Sequence, residues 1–377
     1  MEKETVVWAK DAFENIIKKM SFVYERSKDK IPYTTINGVH DDHSVNDIGW
    51  WTNGFWGGIM WQLYIATGEE CYKKTAIENE KKLDKLFLNY KLLDHDNGFK
   101  WLPTAVANYR ITGDEESKNR GILAADNLAG RFNVNGEFIR AWNDWDGDNI
   151  DRRGWAIIDC MMNLPLLYWA SETTNDPRYR HVAIKHANKA QKHFVRENGS
   201  VKHIVEFDVE TGKEIRDYGG QGYRDGSSWT RGQSWGIYGF ALSYDHTKDI
   251  EYLKTAEKIA DNFIQNIPES GLIPVDFDQP KEVTWEDSTA AAIAACGMLK
   301  ISEFKECSDK DKYFNTALKL LKTLTDCRVN LNEKEDDLLL KCTAAYNDKI
   351  HDFSIIYGDY FYIEAICKLN GKYINIW

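Results

Sequence analysis

Apolar side chains recur along most of the chain with the three- to four-residue spacing of helices, whereas strand-like alternation is confined to short runs such as SVKHIVEFDV and GLIPVDF. The pattern therefore predicts a mostly α-helical protein. Twelve helical stretches are expected: 3–28, 51–67, 70–90, 98–112, 115–131, 154–173, 177–196, 229–246, 249–266, 284–305, 309–327 and 353–369.

Five of these stretches are joined to the next by similar turns, namely YIATGEECY, YRITGDEES, WASETTNDPRY, SYDHTKDIEY and ECSDKDKYF. The Thr or Ser of each turn is expected to cap the following helix, whose first turn carries an acid. A helical hairpin repeated about every 60 residues would occur six times in a chain of this length. Six such pairs can close into an (α/α)6 barrel, the fold predicted for residues 1–377 as one domain, and an open α-solenoid is the alternative.

The two sets of helices differ in composition. Helices after the turns, such as YLKTAEKIADNFI, are charged on one face and are expected to form an outer ring. Helices before the turns, such as STAAAIAACGML, are apolar on most faces and rich in small residues, which favours close packing in an inner ring. Each inner helix begins with a polar and aromatic cluster, so these N-terminal ends should meet at one mouth that favours anions.

Composition narrows the classes of function. The 377 residues carry a formal net charge of −11, which argues against a nucleic-acid partner or an anionic membrane surface. No stretch approaches the roughly 20 apolar residues of a membrane span, and the first residues contain no apolar core of a secretion signal. Seven widely spaced cysteines without a CxxC pair indicate reduced thiols in a cytoplasmic protein. Fourteen tryptophans exceed ordinary usage, and they either pack the core or stack on ligand rings.

Two aspartates at the expected mouth are candidates for acid–base chemistry. Asp159 lies among apolar residues in GWAIIDCMMNLPLLYWA, where burial would raise the pKa of its carboxyl into the range useful for proton transfer. Asp96 lies in HDNGF. The alternative for Asp159 is a helix cap, and the alternative for Asp96 is an ordinary turn.

Further polar and aromatic residues accompany these acids. Arg231, in SWTRGQSW, can pair with a substrate carboxylate while Trp235 stacks on a sugar ring, and a buried structural ion pair is the alternative. His203 and Gln221 lie in the long segment before that helix, where a solvated histidine is the alternative. Trp142, in IRAWND, is either a ligand contact or a core residue.

Three motif matches are rejected. GQSWG resembles a nucleophile motif around Ser234 but lies inside a helical pattern instead of a strand–turn–helix elbow. DWDGDNID is rich in acids, Asp146 among them, but its Gly147 comes too early for a calcium loop. GGQGYRDG lacks the spacing of a dinucleotide-binding loop. We therefore expect no metal and no organic cofactor.

Four motifs, HDNGF, GWAIIDCMMNLPLLYWA, SSWTRGQSWGIYGFA and YGDYFYIEA, resemble in order and spacing those of the unsaturated glucuronyl hydrolases of glycoside hydrolase family 88. The resemblance covers almost the whole chain and implies an (α/α)6 barrel, in agreement with the hairpin count. It implies an intracellular enzyme that removes the 4,5-unsaturated uronic acid from disaccharides left by polysaccharide lyases. Its chemistry would be hydration of a vinyl ether, not displacement at the anomeric carbon.

The resemblance also implies roles for individual residues. Asp159 corresponds to the general acid/base, which would protonate C4 and activate water for C5, and Asp96 corresponds to an aspartate that holds the ring hydroxyls. The positions that correspond to sugar-contacting residues are Trp51, Asn53, Trp142, His203, Gln221, Arg231, Trp235 and Tyr360.

Sulfate preference is expected to depend on a short stretch before the Gly-Asp-Tyr motif. Members of the family that act on sulfated disaccharides carry Ser-x-x-Ser-x-Lys there, whereas this chain has Ala344, Asn347 and Lys349. The lysine is kept and both serines are lost. We therefore expect a weaker demand for a 6-sulfate, with Asn347 and Lys349 as the remaining sulfate-site candidates.

Two other functions stay open on the sequence. The unsaturated rhamnogalacturonyl hydrolases share the barrel and a WTRGQSW-type motif, and a non-catalytic carbohydrate-binding helical protein would use the same aromatic mouth without Asp159. The favoured interpretation predicts a small unsaturated oligosaccharide as the partner of a monomer or weak homodimer.

Overall fold

The computed structural model describes residues 3–144 and 147–377. All twelve expected helical stretches occur within these residues, although several are broken into shorter pieces. In chain order the helices are α1 (Lys3–Ser27), α2 (His43–Asn46), α3 (Phe55–Thr67), α4 (Glu70–Lys82), α5 (Asn97–Trp101), α6 (Ala107–Thr112), α7 (Glu115–Gly130), α8 (Leu164–Thr174), α9 (Pro177–Phe194), α10 (Thr230–Thr247), α11 (Ile250–Gln265), α12 (Ser288–Glu303), α13 (Lys310–Cys327) and α14 (Ile356–Leu369).

Six helical segments form a closed inner ring. The second of these segments, residues 97–112, consists of α5 and α6 joined by a π-helical turn at Leu102–Val106. Helix α3 packs against this segment, and the ring continues through α8, α10, α12 and α14 back to α3. The outer helices α4, α7, α9, α11 and α13 each pack on the inner helix that precedes them. Closure of the ring confirms the predicted (α/α)6 barrel and excludes the open solenoid.

The sixth helical pair is made by the two ends of the chain. Helix α1 packs on α14, and the side-chain amide of Asn370 donates a hydrogen bond to the carbonyl of Ala9 at 2.9 Å. The five repeated turns therefore account for five hairpins, and the first and last helices complete the barrel.

The repeated turns differ from the expectation in which residue caps the next helix. In four of them the Thr hydroxyl instead donates back to the carbonyl four residues earlier, as Thr112 does to Asn108 at 2.8 Å. The cap is the aspartate two positions later: Asp114 accepts from the backbone N–H of Ser117 at 2.8 Å. Aspartate is the better cap because its charge also opposes the positive end of the helix dipole.

Short strands lie between the helices: β1 (Thr35–Ile36), β2 (Val39–His40), β3 (Phe132–Asn133), β4 (Phe138–Ile139), β5 (Trp155–Ile157), β6 (Ile204–Phe207) and β7 (Glu214–Tyr218). Strands β5, β6 and β7 form one antiparallel sheet. The helix predicted to start at residue 154 was wrong there, because the aromatic and β-branched residues of β5 pair with β6. The run GLIPVDF makes only isolated bridges, at Pro274 and Asp276, and no strand.

Tryptophan fills much of the barrel interior. One hydrophobic cluster runs through both rings, from Ala12 to Trp377. Six tryptophans are at most 2% exposed: Trp56, Trp61, Trp101, Trp229, Trp235 and Trp377. The seven cysteines are all free thiols. Among the described residues, no helix is long and apolar enough to cross a membrane.

Candidate active site

The N-terminal ends of the inner helices meet at one end of the barrel, as the sequence predicts. Asp159 lies in a 3₁₀ turn, Ile158–Met162, between β5 and α8, and Asp96 immediately precedes α5. Arg231 occupies the first turn of α10, and Asp287 caps α12. Charged side chains from four inner helices therefore surround one space.

Asp159 is a buried carboxyl with an unused oxygen. Its side chain is 14% exposed, and its Oδ1 has no hydrogen-bond partner in the described part of the chain. Burial raises the pKa of Asp159 to about 7, although the positive charge of Arg231 opposes the rise. The carboxyl caps no helix in the described structure, which removes the alternative considered for it. A carboxyl with such a pKa can both donate and accept a proton near neutral pH.

Asp96 lies close enough to Asp159 for the two charges to interact. Asp96 is 6% exposed, and its Oδ2 lies 3.5 Å from Nε2 of His95. Burial raises the pKa of Asp96 well above its usual range, and the negative charges of Asp94 and Asp159 raise it further. Asp94, by contrast, has a lowered pKa: burial works against ionisation there, but the positive charge of Lys100 and further neighbours outweigh it. Of Asp94 and Asp96, it is therefore Asp96 that holds its proton.

Asn163 connects the two acidic residues, and the sequence analysis missed it. Its amide nitrogen lies 3.3 Å from Oδ1 of Asp96 and 3.3 Å from the backbone carbonyl of Asp159, while its Oδ1 accepts from the backbone N–H of Phe99 at 2.8 Å. Gly98 is needed beside it, because a Cβ there would lie 2.5 Å from the Cα of Asn163. The available signal was its place four residues after Asp159, at the start of the next helix.

Arg231 forms the buried ion pair that was the alternative to substrate binding. Its Nη1 lies 3.0 Å from Oδ2 of Asp287, and the two side chains are 1% and 0% exposed. The guanidinium also donates to the carbonyls of Thr343 and Ala344. It lies over the rings of Trp229, 4.6 Å away, and of a tyrosine in α14. The guanidinium therefore holds the 343–344 segment against the barrel.

His203 is buried beside Asp159 and is not a solvated loop residue. Its Nε2 lies 3.9 Å from Oδ1 of Asp159, and its Nδ1 lies 3.0 Å from the backbone nitrogen of Gln221 and 3.2 Å from the carbonyl of Gly219. Burial lowers the pKa of His203 to about 3, so the imidazole is neutral. The side-chain amide of Gln221 donates to the carbonyl of Ala344 at 2.9 Å, which joins this turn to the segment that Arg231 holds.

Aromatic rings form a wall around the acids. Half-buried Trp51 lies 4.7 Å from the ring of Tyr357 and 5.3 Å from that of Phe99, which in turn lies 5.1 Å from fully buried Trp235. Half-buried Trp142 lies 6.4 Å from the ring of His95, next to Asp96. Three of the tryptophans predicted from the sequence are therefore brought together around the two acids.

Asn53 and Tyr360 are both held by hydrogen bonds to other parts of the chain. The amide nitrogen of Asn53 donates to the carbonyls of Asp47 and Ile48, which leaves its buried Oδ1 without a partner in the described chain. Tyr360 is fully buried and donates to Oε2 of Glu364 at 2.6 Å, so the structure does not bring its hydroxyl to the acids. The tyrosine of α14 that lies beside Arg231 and Trp51 is Tyr357, one helical turn earlier.

The candidate sulfate-site residues are exposed at the rim. Asn347 donates to the carbonyl of Gly222 at 3.3 Å, and Lys349 is exposed. Its hydrogen bond places Asn347 beside the turn that contains Gln221.

The rejected motifs play no part in this site. Ser234 is fully buried, and its hydroxyl donates to the carbonyls of Thr230 and Ala290. Asp146 of the acidic run lies outside the described residues, and Asp148 there is paired with Arg152. Within residues 3–144 and 147–377, no cluster of three or more histidine, cysteine or acidic side chains is arranged to hold a metal ion.

A helical barrel that offers a carboxyl titrating near neutral pH, beside a wall of aromatic rings, has the features of an enzyme that acts on carbohydrates. Comparison with known proteins gives the family. Residues 23–368 match the family model described as Glycosyl Hydrolase Family 88, and the chain belongs to this family.

Its relatives include unsaturated glucuronyl hydrolases. The chain is 36% identical to the unsaturated glucuronyl hydrolase of Bacillus sp. (strain GL1), over 93% of each chain. It is 33% identical to the unsaturated chondroitin disaccharide hydrolase of Streptococcus pyogenes serotype M1, over 89% of this chain and 85% of that one.

Solved structures of related enzymes share the fold. The Bacillus sp. GL1 enzyme, described as responsible for the degradation of glycosaminoglycan, superposes with a TM-score of 0.88 at 34% identity over 97% of both chains. The unsaturated glucuronyl hydrolase from Streptococcus agalactiae gives a TM-score of 0.90 at 31% identity, covering 100% of this chain and 94% of that one. A variant of the latter was solved in complex with dGlcA-GalNAc6S, with a TM-score of 0.81 at 29% identity over 99% and 94% of the chains.

Proposed function

We propose that this protein is an unsaturated glucuronyl hydrolase that releases the 4,5-unsaturated uronic acid from the non-reducing end of small oligosaccharides made by polysaccharide lyases. The observation that carries the proposal is Asp159: a buried carboxyl whose pKa is raised to about 7 and whose Oδ1 has no hydrogen-bond partner in the described chain. Such a group can give a proton to substrate and take one back within a single turnover.

The proposed reaction is hydration of the C4–C5 double bond. Asp159 donates its proton to C4, and the electron pair of the double bond forms the new C4–H bond, which leaves positive charge shared by C5 and the ring oxygen. A water molecule then adds to C5 while the Asp159 carboxylate accepts one of its protons. The product is a hemiketal at C5, which opens and releases the partner sugar.

The neighbouring groups support this role for Asp159. Asp96 keeps its proton because burial and the nearby negative charge of Asp94 oppose ionisation, so it can donate a hydrogen bond to a ring hydroxyl and accept one from another. Neutral His203, 3.9 Å from Asp159, adds no charge that would draw the proton from that carboxyl. The ring of Trp51 provides a stacking surface for a pyranose.

The class of substrate follows from the family. The relatives named above include hydrolases of unsaturated chondroitin disaccharides and an enzyme of glycosaminoglycan degradation. Because the sequence keeps Lys349 but has alanine and asparagine near it where serines would be needed, we place unsulfated disaccharides ahead of 6-sulfated ones. The free thiols of the seven cysteines support action in a reducing cytoplasm.

Turnover in heavy water tests the proposal. Incubation with an unsaturated hyaluronan or chondroitin disaccharide should abolish the ultraviolet absorbance of the conjugated double bond and place one solvent deuteron at C4 of the released uronate. A saturated glucuronide should not be cleaved, because it has no double bond to protonate. Release of the unsaturated uronate intact, or cleavage of the saturated glucuronide at a comparable rate, would contradict the mechanism. An unsaturated rhamnogalacturonan disaccharide included in the same panel tests the rival activity.

A further inference from the structure

Arg231 lies between two buried carboxyls that have different partners. One, Asp287, is ion-paired to it at 3.0 Å and is 0% exposed. The other, Asp159, lies within the electrostatic reach of Arg231 but has no described hydrogen bond to Oδ1. A single guanidinium thus acts on both the proposed acid/base and a second, fully buried carboxylate.

The packing of the elements explains how the charge of Arg231 reaches Asp159. Helix α10 packs on the Ile158–Met162 turn, and a Cβ at Gly232, next to Arg231, would lie 3.5 Å from Cγ2 of Ile158. Few other charges face Asp159: His203 on β6 is neutral, and Asp96 before α5 holds its proton. Arg231 is therefore the neighbouring cation whose charge favours the ionised form of Asp159, against the effect of burial.

We propose that Asp287 is a positioning residue for the reaction: by neutralising Arg231, it allows Asp159 to keep its proton in the free enzyme at neutral pH. The inference rests on the proposed role of Asp159 as general acid. An unpaired guanidinium in a water-poor site attracts the nearest carboxylate and favours its ionised form. With Asp287 in place, Arg231 and Asp287 together carry no net charge, and the burial of Asp159 dominates.

The substitution Asp287→Asn tests this charge effect. Oδ1 of Asp287 caps α12 by accepting from the backbone N–H of Thr289 at 3.2 Å, and it also accepts from Thr343 at 3.4 Å. Asparagine has nearly the same shape and caps a helix about as well as aspartate, so these contacts survive. What the variant loses is the negative charge beside Arg231 and the hydrogen bond that Nη1 donates to Oδ2 at 3.0 Å, because an amide nitrogen in that place cannot accept.

The experiment is the pH profile of kcat/KM on an unsaturated disaccharide. In Asp287→Asn, the alkaline limb should move to lower pH by about one unit, the size of shift that an uncompensated neighbouring cation produces. Activity at pH 8 should then fall about tenfold relative to the wild type, while activity at the acid end of the profile should change far less. The matched control is Asp249→Asn, which replaces the cap of outer helix α11 far from the site and should leave the profile unmoved.

Several results would overturn the inference. One is an alkaline limb that stays at the wild-type pH in a folded Asp287→Asn protein. Another is a loss of activity that is equal at all pH values, because a merely structural role would produce that result. If the unpaired guanidinium prevents folding, the double variant Arg231→Gln with Asp287→Asn removes both charges. The alkaline limb of this double variant's pH profile should lie at the same pH as in the wild type or at a higher pH. A shift of that limb to lower pH would contradict the inference. Retained activity in Asp159→Asn would instead mean that the proposed function of Asp159 has failed.

Discussion

At the scale of single residues, the chemistry depends on Asp159 being buried without being paired. The apolar side chains around it in the sequence predicted the burial, and the structure adds that Oδ1 has no described partner while Arg231 is occupied by Asp287. A cation dedicated to this carboxyl would work against the effect of burial on its pKa and make it a poorer acid. Engagement of Arg231 by a different carboxylate is therefore as important as the burial itself.

Replacement of Asp159 by asparagine should abolish turnover. We expect kcat to fall by at least about 10²–10⁴-fold, because the amide can neither donate nor recover the proton. In the wild type, kcat/KM should decline as pH rises through about 7, since the free enzyme then loses the proton of Asp159. Both are measured by the loss of ultraviolet absorbance of the substrate.

A thermal measurement provides the control for Asp159→Asn. The folded-state pKa of about 7 lies well above the value of an aspartate in the unfolded chain, about 3.9, so ionising Asp159 works against the folded state. The wild type should therefore lose stability relative to the variant as pH rises from about 4 to 7, and the melting temperature of the variant should be higher at pH 8 than that of the wild type. A variant that keeps a tenth of the wild-type rate, or a melting difference that shrinks over this range, would contradict the assignment.

At the scale of elements, the turn after β7 packs against His203 and holds its ring in one position. Gly220 has a φ of +59°, and a Cβ at this position would lie 2.0 Å from Nδ1 of His203. The next backbone N–H, of Gln221, lies 3.0 Å from the same Nδ1. The turn thus presses directly on the ring that faces Asp159, and only glycine allows this approach.

Gly220→Ala should consequently lower activity with little effect on the rest of the fold. The added methyl group must displace the imidazole or the turn, and we expect kcat/KM to fall by about tenfold or more, as displacements near 1 Å do at catalytic sites. The matched control is Gly226→Ala in the same loop, where φ is +82° but no atom lies within 4 Å of the added Cβ. Equal activity losses in the two variants would show that backbone strain, and not contact with His203, is the cause.

At the scale of the whole molecule, an acidic protein must bind an acidic sugar. The formal net charge of −11 repels anionic ligands at long range, so attraction must come from the mouth of the barrel. The N-terminal ends of the inner helices provide it, with partial positive charge on one side of the molecule. Lys349 is an exposed cation two residues after Asn347, which donates to the carbonyl of Gly222.

We therefore expect kcat/KM to be higher on the unsulfated chondroitin disaccharide than on its 6-sulfated form. Lys349→Ala should reduce the rate on the 6-sulfated substrate by about two- to fivefold, the effect of one exposed ion pair, and leave the unsulfated rate unchanged. Lys341→Ala is the control, because that exposed lysine is already paired with Asp352 at 3.0 Å. A preference for the sulfated substrate, or an equal effect of both substitutions, would contradict the assignment of Lys349.

Much of the fold could be predicted from the sequence because it depends on local rules. Helical periodicity gave the twelve stretches, and the repeated turns gave five hairpins, since capping and amphipathic patterning act over a few residues. The identity of the cap was misassigned to Thr instead of Asp, and β5 was taken for helix. Strand pairing depends on a partner, here β6, that lies almost 50 residues away in the chain.

The candidate site shows the same division. The sequence by itself determined that Asp159 would be buried and that Asp96, Arg231 and the tryptophans belong to the mouth, because these follow from their apolar neighbours and from helix starts. Only the tertiary structure decided that Arg231 pairs with Asp287, that Asn163 connects the two acids, and that Tyr357 and not Tyr360 faces the site. Each of these depends on contacts between helices distant in sequence, and a buried charge takes its properties from whichever neighbour closes the space around it.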